Sequence, residues 1–330
     1  MSSLVPVAFH PSQFPDAVRD QWRASLAARR MNPKFHYDTV RRAHRWLAVH
    51  TAHSPAVTDP GCLGAYGRAF EAVADELGGD DVEVVSLGCG GGQKDVRLLQ
   101  SLAAAPRRLA YVPLDVSAPL TLIARTAALR IPGLGDIRPI VADLAEASDL
   151  AAALGEPGTG ATVRLVLFFG MLPNFEPGIL IPRLAGLLRP GDVLLLSANL
   201  APGAAIEAGV RRVLPQYDNP ETRRWLGTVL EDHGASLRTD ALQFAIEQDP
   251  GIPDVRRIVA DWVVAEDTAL LSDDEAFPLR RGEPFRLFTS YRHTPDAVRR
   301  LLGAEGIRVD GAWTSPSGEE GVFLARKAGR

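Results

Sequence analysis

The spacing of apolar positions changes character near residue 82. Upstream, residues 12–58 read as helical and polar, with the run TVRRAHRWLAVHTAH near their end. Residues 62–78, CLGAYGRAFEAVADELG, carry apolar side chains at helical spacing and stop at Gly78-Gly79, where glycine can close a helix. Short apolar runs then alternate with helical ones. VEVVSLG (82–88), RLAYVPLD (108–115), DIRPIVAD (136–143), TVRLVLFFG (162–170) and VLLLSANL (193–200) read as strands. QKDVRLLQSLAAA (93–105), APLTLIARTAALR (118–130) and ILIPRLAGLLRPGD (179–192) read as helices. Strands that are apolar throughout are buried on both faces. The pattern therefore predicts a parallel, doubly wound α/β sheet.

After Leu200 the alternation breaks. Residues 203–283 combine a helix (218–233), strands at 241–247 and 255–264, and an acidic turn, LLSDDEAF, which together read as a second, smaller α+β domain. PFRLFTSYR (284–292) reads as a strand, PDAVRRLLGAEG as a helix, and IRVDGAWTSPSGEEGVFLARK as a hairpin. The expected division is an N-terminal helical segment at 1–60, the large sheet domain at 61–202 with 284–330, and the smaller domain at 203–283. A length of 330 residues suits this, since domains usually run to about 100–200 residues.

The first of these strands runs into Gly88-Cys89-Gly90-Gly91-Gly92 and then a helix. Glycines let the backbone turn sharply and approach a ligand, and the carboxyl end of a strand is where open α/β sheets bind one. A dinucleotide fingerprint needs a sixth-position glycine where Gln93 stands, and no GxxxxGK[ST] run is present. The series Gly88, Gly90, Gly92 has the spacing of S-adenosylmethionine sites; a purely structural turn is the competing reading. Asp115 closes the second strand and can accept hydrogen bonds from both ribose hydroxyls of an adenosine. The bland alternative is a helix cap from Asp115 or Ser117. Asp143-Leu144 follows the third strand, where an acid can read the exocyclic amine of adenine, or can cap. Phe168-Phe169-Gly170-Met171-Leu172-Pro173-Asn174-Phe175 follows the fourth strand, where methyl donor and acceptor meet. Asn174 can orient an amino or carboxylate group there, and is also an ordinary turn residue.

Composition narrows the class. A net charge of -4 favours neither nucleic acid nor an anionic membrane as partner. Cys62 and Cys89 are the only cysteines and form no metal-type pair, so a reducing compartment and no metal are expected. MSSLVPVAFHPSQFPDAV lacks a basic region followed by an apolar run, and no stretch approaches ~18 apolar residues. A cytoplasmic protein is the expectation, with oligomeric state left open. Lys34, Lys94 and Lys327 are the only lysines among 36 basic residues, which marks Lys94, just after the glycines.

These motifs together resemble the histidine-specific methyltransferases of ergothioneine biosynthesis, which trimethylate the α-amine of free histidine. Their LELGSGxSxK loop is similar to SLGCGGGQK, which places Gly88, Gly90 and Lys94 at the same spacing; YxPxDxS matches YVPLDVS (111–117). Their aspartate-aromatic pair becomes Asp143-Leu144. Their GSxxGN turn resembles Gly170-Met171-Leu172-Pro173-Asn174, one residue shorter, and Lys34-Phe35-His36-Tyr37-Asp38 and Tyr217-Asp218 resemble two pocket motifs. The likeness spans roughly residues 30 to 325.

The resemblance implies a class I methyltransferase, Rossmann-like sheet that takes S-adenosylmethionine and releases S-adenosylhomocysteine. It implies cofactor contacts at Gly88, Gly90, Lys94, Asp115, Asp143, Leu144 and Gly170. A free amino acid would sit near Tyr37, Asn174, Tyr217, Asp218, Phe288 and Ser290. The 1–60 segment would contribute to that pocket. One departure bears on the acceptor. The family's imidazole-reading Glu-x-Ser becomes Phe288-Thr289-Ser290, so histidine is not the expected substrate. The guanidine of free arginine, methylated by a related natural-product branch, is the first candidate, with Asn174, Glu176 and Tyr217 as catalytic residues and Glu176 or Asp218 polarising the guanidinium. Histidine, or cofactor binding without turnover, is the alternative. A nicotinamide oxidoreductase is disfavoured by Gln93.

Overall fold

The computed structural model describes residues 4–157, 163–235, 241–273 and 275–328. In chain order the strands are β1 (Ala8–Phe9), β2 (Val82–Leu87), β3 (Leu109–Asp115), β4 (Leu134–Ile137), β5 (Ile140–Val141), β6 (Val163–Phe168), β7 (Val193–Asn199), β8 (Leu242–Gln248), β9 (Arg256–Val263), β10 (Thr268–Ser272), β11 (Glu275–Leu279), β12 (Pro284–Arg292), β13 (Ile307–Thr314) and β14 (Glu320–Lys327). The helices are α1 (Pro15–Ala27), α2 (Val40–His53), α3 (Pro55–Thr58), α4 (Pro60–Leu77), α5 (Gln93–Ala103), α6 (Ala118–Ala128), α7 (Leu150–Leu154), α8 (Pro177–Leu187), α9 (Ile206–Val213), α10 (Pro220–Glu231) and α11 (Pro295–Ala304).

The large sheet runs β1-β5-β3-β2-β6-β7-β14-β13, with β4 paired to β3. The pairs from β5 through β7 are parallel; β14 is antiparallel to both β7 and β13 and so is the one reversed strand of that run. The apolar strands are buried on both faces, and the period of two sorts their side chains into two cores. Val85, Leu87, Val112, Leu114, Val166, Phe168, Leu194 and Leu196 face α7, α8 and α11. Val82, Val84, Leu109, Tyr111, Leu165, Leu167 and Leu195 face α4 and α5. The strand expected at 136–143 is interrupted, because Pro139 has no N–H to give to a ladder. Thr162 of the expected fourth strand and residue 274 of the acidic turn lie outside the described residues. The turn itself joins β10 to β11, an antiparallel pair.

A third core corrects the expected grouping of elements. β12, expected with the large sheet, instead pairs antiparallel with β9 in a three-stranded sheet, β12-β9-β8. Trp22 and Leu26 of α1 and Phe35 share that core with Trp225, Leu226 and Val229 of α10, Trp262 and Phe285. The N-terminal segment and residues 220–292 thus bury their apolar faces together. The two sheets meet where β7 and β12 end. There Ala201 donates its N–H to the His293 carbonyl at 2.8 Å, and His293 donates to Asn199 at 3.0 Å.

Candidate active site

The carboxyl ends of β2, β3, β5, β6 and β7 open onto a cavity of about 260 Å³, covered by residues 32–37, α2, α10 and β12. The glycine turn forms one wall. Gly88 (φ 72°) and Gly90 (φ 52°) lie in the left-handed region. A Cβ on Gly88 would run into the Met171 sulfur, and one on Gly90 would sit 2.8 Å from the Trp46 ring. Only glycine fits between the fourth-strand turn and the α2 indole.

Asp115 is buried at the end of β3. Its Oδ2 accepts the Gly90 N–H and its Oδ1 the Ser117 N–H, both at 2.9 Å. Burial pushes its carboxyl up to about 6, against the pull of those backbone bonds. Ser117, not Asp115, caps α6 through the Leu120 N–H.

At the end of β5, Asp143 and Lys34 are both buried, with Nζ 3.6 Å from Oδ2, and neither of those two atoms has a hydrogen-bond partner. Desolvation lowers the Lys34 ammonium below its usual range, while Asp143 opposes this. Buried groups with unmade hydrogen bonds are rare in folded proteins. This pair offers an acceptor and donors to a heterocycle, beside Leu144. The residues present therefore fit an adenosyl group.

Lys94 lies in the first turn of α5, Nζ 5.0 Å from the Tyr66 ring centroid and 3.9 Å from Glu320 Oε1. Tyr66 donates its hydroxyl to the same Glu320. Gly170 borders Nζ, its N–H given to Ser197 Oγ at 2.9 Å. Opposite, Asn174 donates Nδ2 to the Gly170 carbonyl at 3.0 Å, which leaves Oδ1 as its acceptor.

The far end gathers side chains from both sheets. Tyr217 Oη accepts from Asn199 Nδ2 at 3.0 Å and from Arg292 Nη2 at 2.8 Å, which leaves its own proton for Ser290 Oγ at 3.3 Å. Arg292 is 2% exposed. Its Nη1 donates to the Leu200 and Glu319 carbonyls at 3.1 and 3.3 Å. Three of the guanidinium's five N–H donors are thereby used, and Nε has no partner. Carbonyls and a phenol meet this charge, and among the described residues no carboxylate does. Tyr37, Trp225 and Phe288 line the cavity too, and Trp46 lies between Tyr37 and the glycine turn.

Of the residues expected at the site, Gly88, Gly90, Lys94, Asp115, Asp143, Leu144, Gly170, Tyr37, Asn174, Tyr217, Phe288 and Ser290 line the cavity. Glu176 and Asp218 do not. Glu176 is the exposed N-cap of α8, and Asp218 is exposed and paired with Arg223 at 2.7 Å. Sequence reasoning missed Arg292, Trp46 and Trp225. Arg292 was within reach, because strand alternation puts 288, 290 and 292 on one face.

A parallel sheet with one reversed strand, a glycine turn and acids at successive strand ends define a class I methyltransferase. The family described as "Histidine-specific methyltransferase, SAM-dependent" matches residues 66–327, and the chain belongs to it. S-adenosylmethionine is accordingly its methyl donor. Histidine N-alpha-methyltransferase of Mycobacterium tuberculosis (strain CDC 1551 / Oshkosh) is 28% identical over 260 residues, 74% of this chain and 75% of that protein. The Mycolicibacterium smegmatis protein of the same name is 27% identical over 330 residues, 94% of this chain and 95% of its own. Among solved structures, a Burkholderia thailandensis 1,6-didemethyltoxoflavin-N1-methyltransferase with bound S-adenosylhomocysteine is 14% identical. It covers 100% of this chain and 94% of its own at a TM-score of 0.44, too low to carry weight.

Proposed function

We propose that this enzyme methylates the α-amine of a free α-amino acid. The observation that carries the reading is Arg292, a buried guanidinium in the cavity wall with no carboxylate paired to it among the described residues. A buried cation without a counter-ion is costly, and an amino-acid carboxylate would supply one. Asn174 Oδ1, beside Gly170, can accept from the amine and hold its nitrogen toward the donor. The bound cofactor supplies a sulfonium methyl group already activated for displacement. The chain's part is to orient the nucleophile and exclude water. Asp115 suits the ribose hydroxyls, Asp143 and Lys34 the adenine.

The guanidine of arginine loses its motivation with Glu176 on the surface, and with it the natural-product setting expected from that branch. Histidine is the second reading, favoured by the names of the two relatives. Incubation with donor and each free amino acid, read by mass, tests the proposal. An amino acid should gain methyl groups while its decarboxylated amine does not. Arg292→Met, if folded, should raise the amino-acid KM at least tenfold and leave S-adenosylhomocysteine affinity within twofold. Equal turnover of the decarboxylated amine would sink this reading.

A further inference from the structure

We infer that the side-chain end of the pocket selects an uncharged apolar side chain, best an aromatic ring, over imidazole or guanidine. The inference rests on the free-amino-acid reading above and specifies its substrate. The cover of the cavity, away from the large sheet, is built of rings. Tyr37 stands 5.5 Å from Trp225 and 5.7 Å from Trp46, Phe288 stands 6.1 Å from Trp225 and 5.9 Å from Tyr217 (centroid to centroid), and all five line the cavity. Two of these pairs, Tyr37–Trp46 and Phe288–Trp225, meet edge to face at 76° and 71°, and the other two are tilted at 55° and 41°.

No carboxylate stands among these rings; Thr222 Oγ1 and His36 Nδ1 are the polar atoms there without a hydrogen-bond partner among the described residues. Ser290 faces Tyr217 at 3.3 Å. His36, behind Phe288, gives Nε2–H to the Leu287 carbonyl at 2.8 Å, and burial holds it at about 4, so it stays neutral. Trp225 Nε1 is bound to the His36 carbonyl at 2.9 Å. A small annex that shares Tyr37, Asn174 and Phe288 with the cavity is lined by Met31, Pro33 and Leu287 and by the basic residues Arg30, His36 and Arg286, with no carboxylate among them.

The carboxylates of the cavity lie elsewhere. Asp115 is tied to Gly90 and Ser117, Asp143 to Lys34, Asp95 to Tyr111 at 2.5 Å, and Glu320 to Tyr66 and Lys94. None comes from residues 32–37, α10 or β12, which carry Tyr37, Trp225 and Phe288. A guanidinium or imidazolium seated among these rings would lose hydration and find no carboxylate to pair with. An apolar side chain loses nothing of that kind and gains about 25 cal/mol per Å² buried.

The test is calorimetric titration of the S-adenosylhomocysteine-loaded protein with phenylalanine, tyrosine, tryptophan and leucine against histidine, arginine and lysine. Turnover with S-adenosylmethionine is ranked alongside. The best ligand should come from the first group, by at least tenfold over histidine. Phe288→Glu should reverse the order by restoring an acceptor. Phe288→Leu should keep it, a control if the charged variant fails to fold. A histidine, arginine or lysine preference overturns this inference but leaves the amino-acid reading standing. Failure of all seven to bind removes both.

Discussion

Asp115 shows what one residue does. Its carboxylate ties the glycine turn to the start of α6 and leaves lone pairs for a diol. Removing it should cost charge-assisted hydrogen bonds worth about 1.5–3 kcal/mol, at least tenfold in donor affinity. Asp115→Ala read by calorimetry checks this; unchanged affinity in a folded variant refutes the ribose role. Only the anion accepts from both hydroxyls. Affinity should therefore fall as pH drops through about 6, where the buried carboxyl takes its proton, and Asp115→Asn should flatten that profile. Stability moves the other way. The folded value lies above the ordinary 3.8, so between these pH values the folded protein binds more protons, and raising pH across that window costs stability. At this scale the sequence was legible where a residue terminates a strand, because strand ends converge on the crevice by geometry alone. Glu176 misled because neighbours in a turn diverge. Asn174 faces the cavity, and two residues on, the chain turns its side chain out.

Among elements, the turn between β2 and α5 is the most constrained. A side chain on Gly88 meets both a left-handed φ, costing roughly 1–2 kcal/mol, and Met171 within bonding range. Gly88→Ala should lower thermal stability and weaken S-adenosylhomocysteine binding at least tenfold by displacing Met171. Thermal denaturation with and without ligand reads both, and unaltered binding would refute the close packing. The parallel strands were legible because double burial writes them as Val and Leu runs. β12 was read as a strand but given the wrong sheet, since alternation records which face is apolar and not which strand is the partner. Trp46 and Trp225 went unseen for a related reason. Helical periodicity assigns an indole to a buried face without saying whether that face meets a core or a cavity.

Across the whole molecule, the cleft is a seam. The large sheet supplies the glycine turn and the acids, and the other core supplies Tyr37, Trp225 and Phe288. A ligand touching both should stabilise them as a unit. S-adenosylhomocysteine at one hundred times its Kd should add about 2.7 kcal/mol and raise a single unfolding transition. Two transitions, only one of them shifted, would show that the cores unfold independently. Among the described residues, no helix is long and apolar enough to cross a membrane, and no acidic, histidine or cysteine cluster could hold a metal ion.

The third core also sets an order of events at the ribosome. Trp22 and Leu26 leave the exit tunnel before Trp225, Leu226, Trp262 and Phe285, against which they pack. Until residues some two hundred positions later have been made, the α1 stripe has nothing to bury itself against. The large sheet is interposed between the two halves of that core, and it too waits for β14, which follows its other strands along the chain and sits inside the sheet between β7 and β13. Neither half can mature domain by domain during synthesis. Such long-range pairing makes folding slow and leaves an amphipathic helix exposed in the interval, a nascent chain suited to chaperone capture.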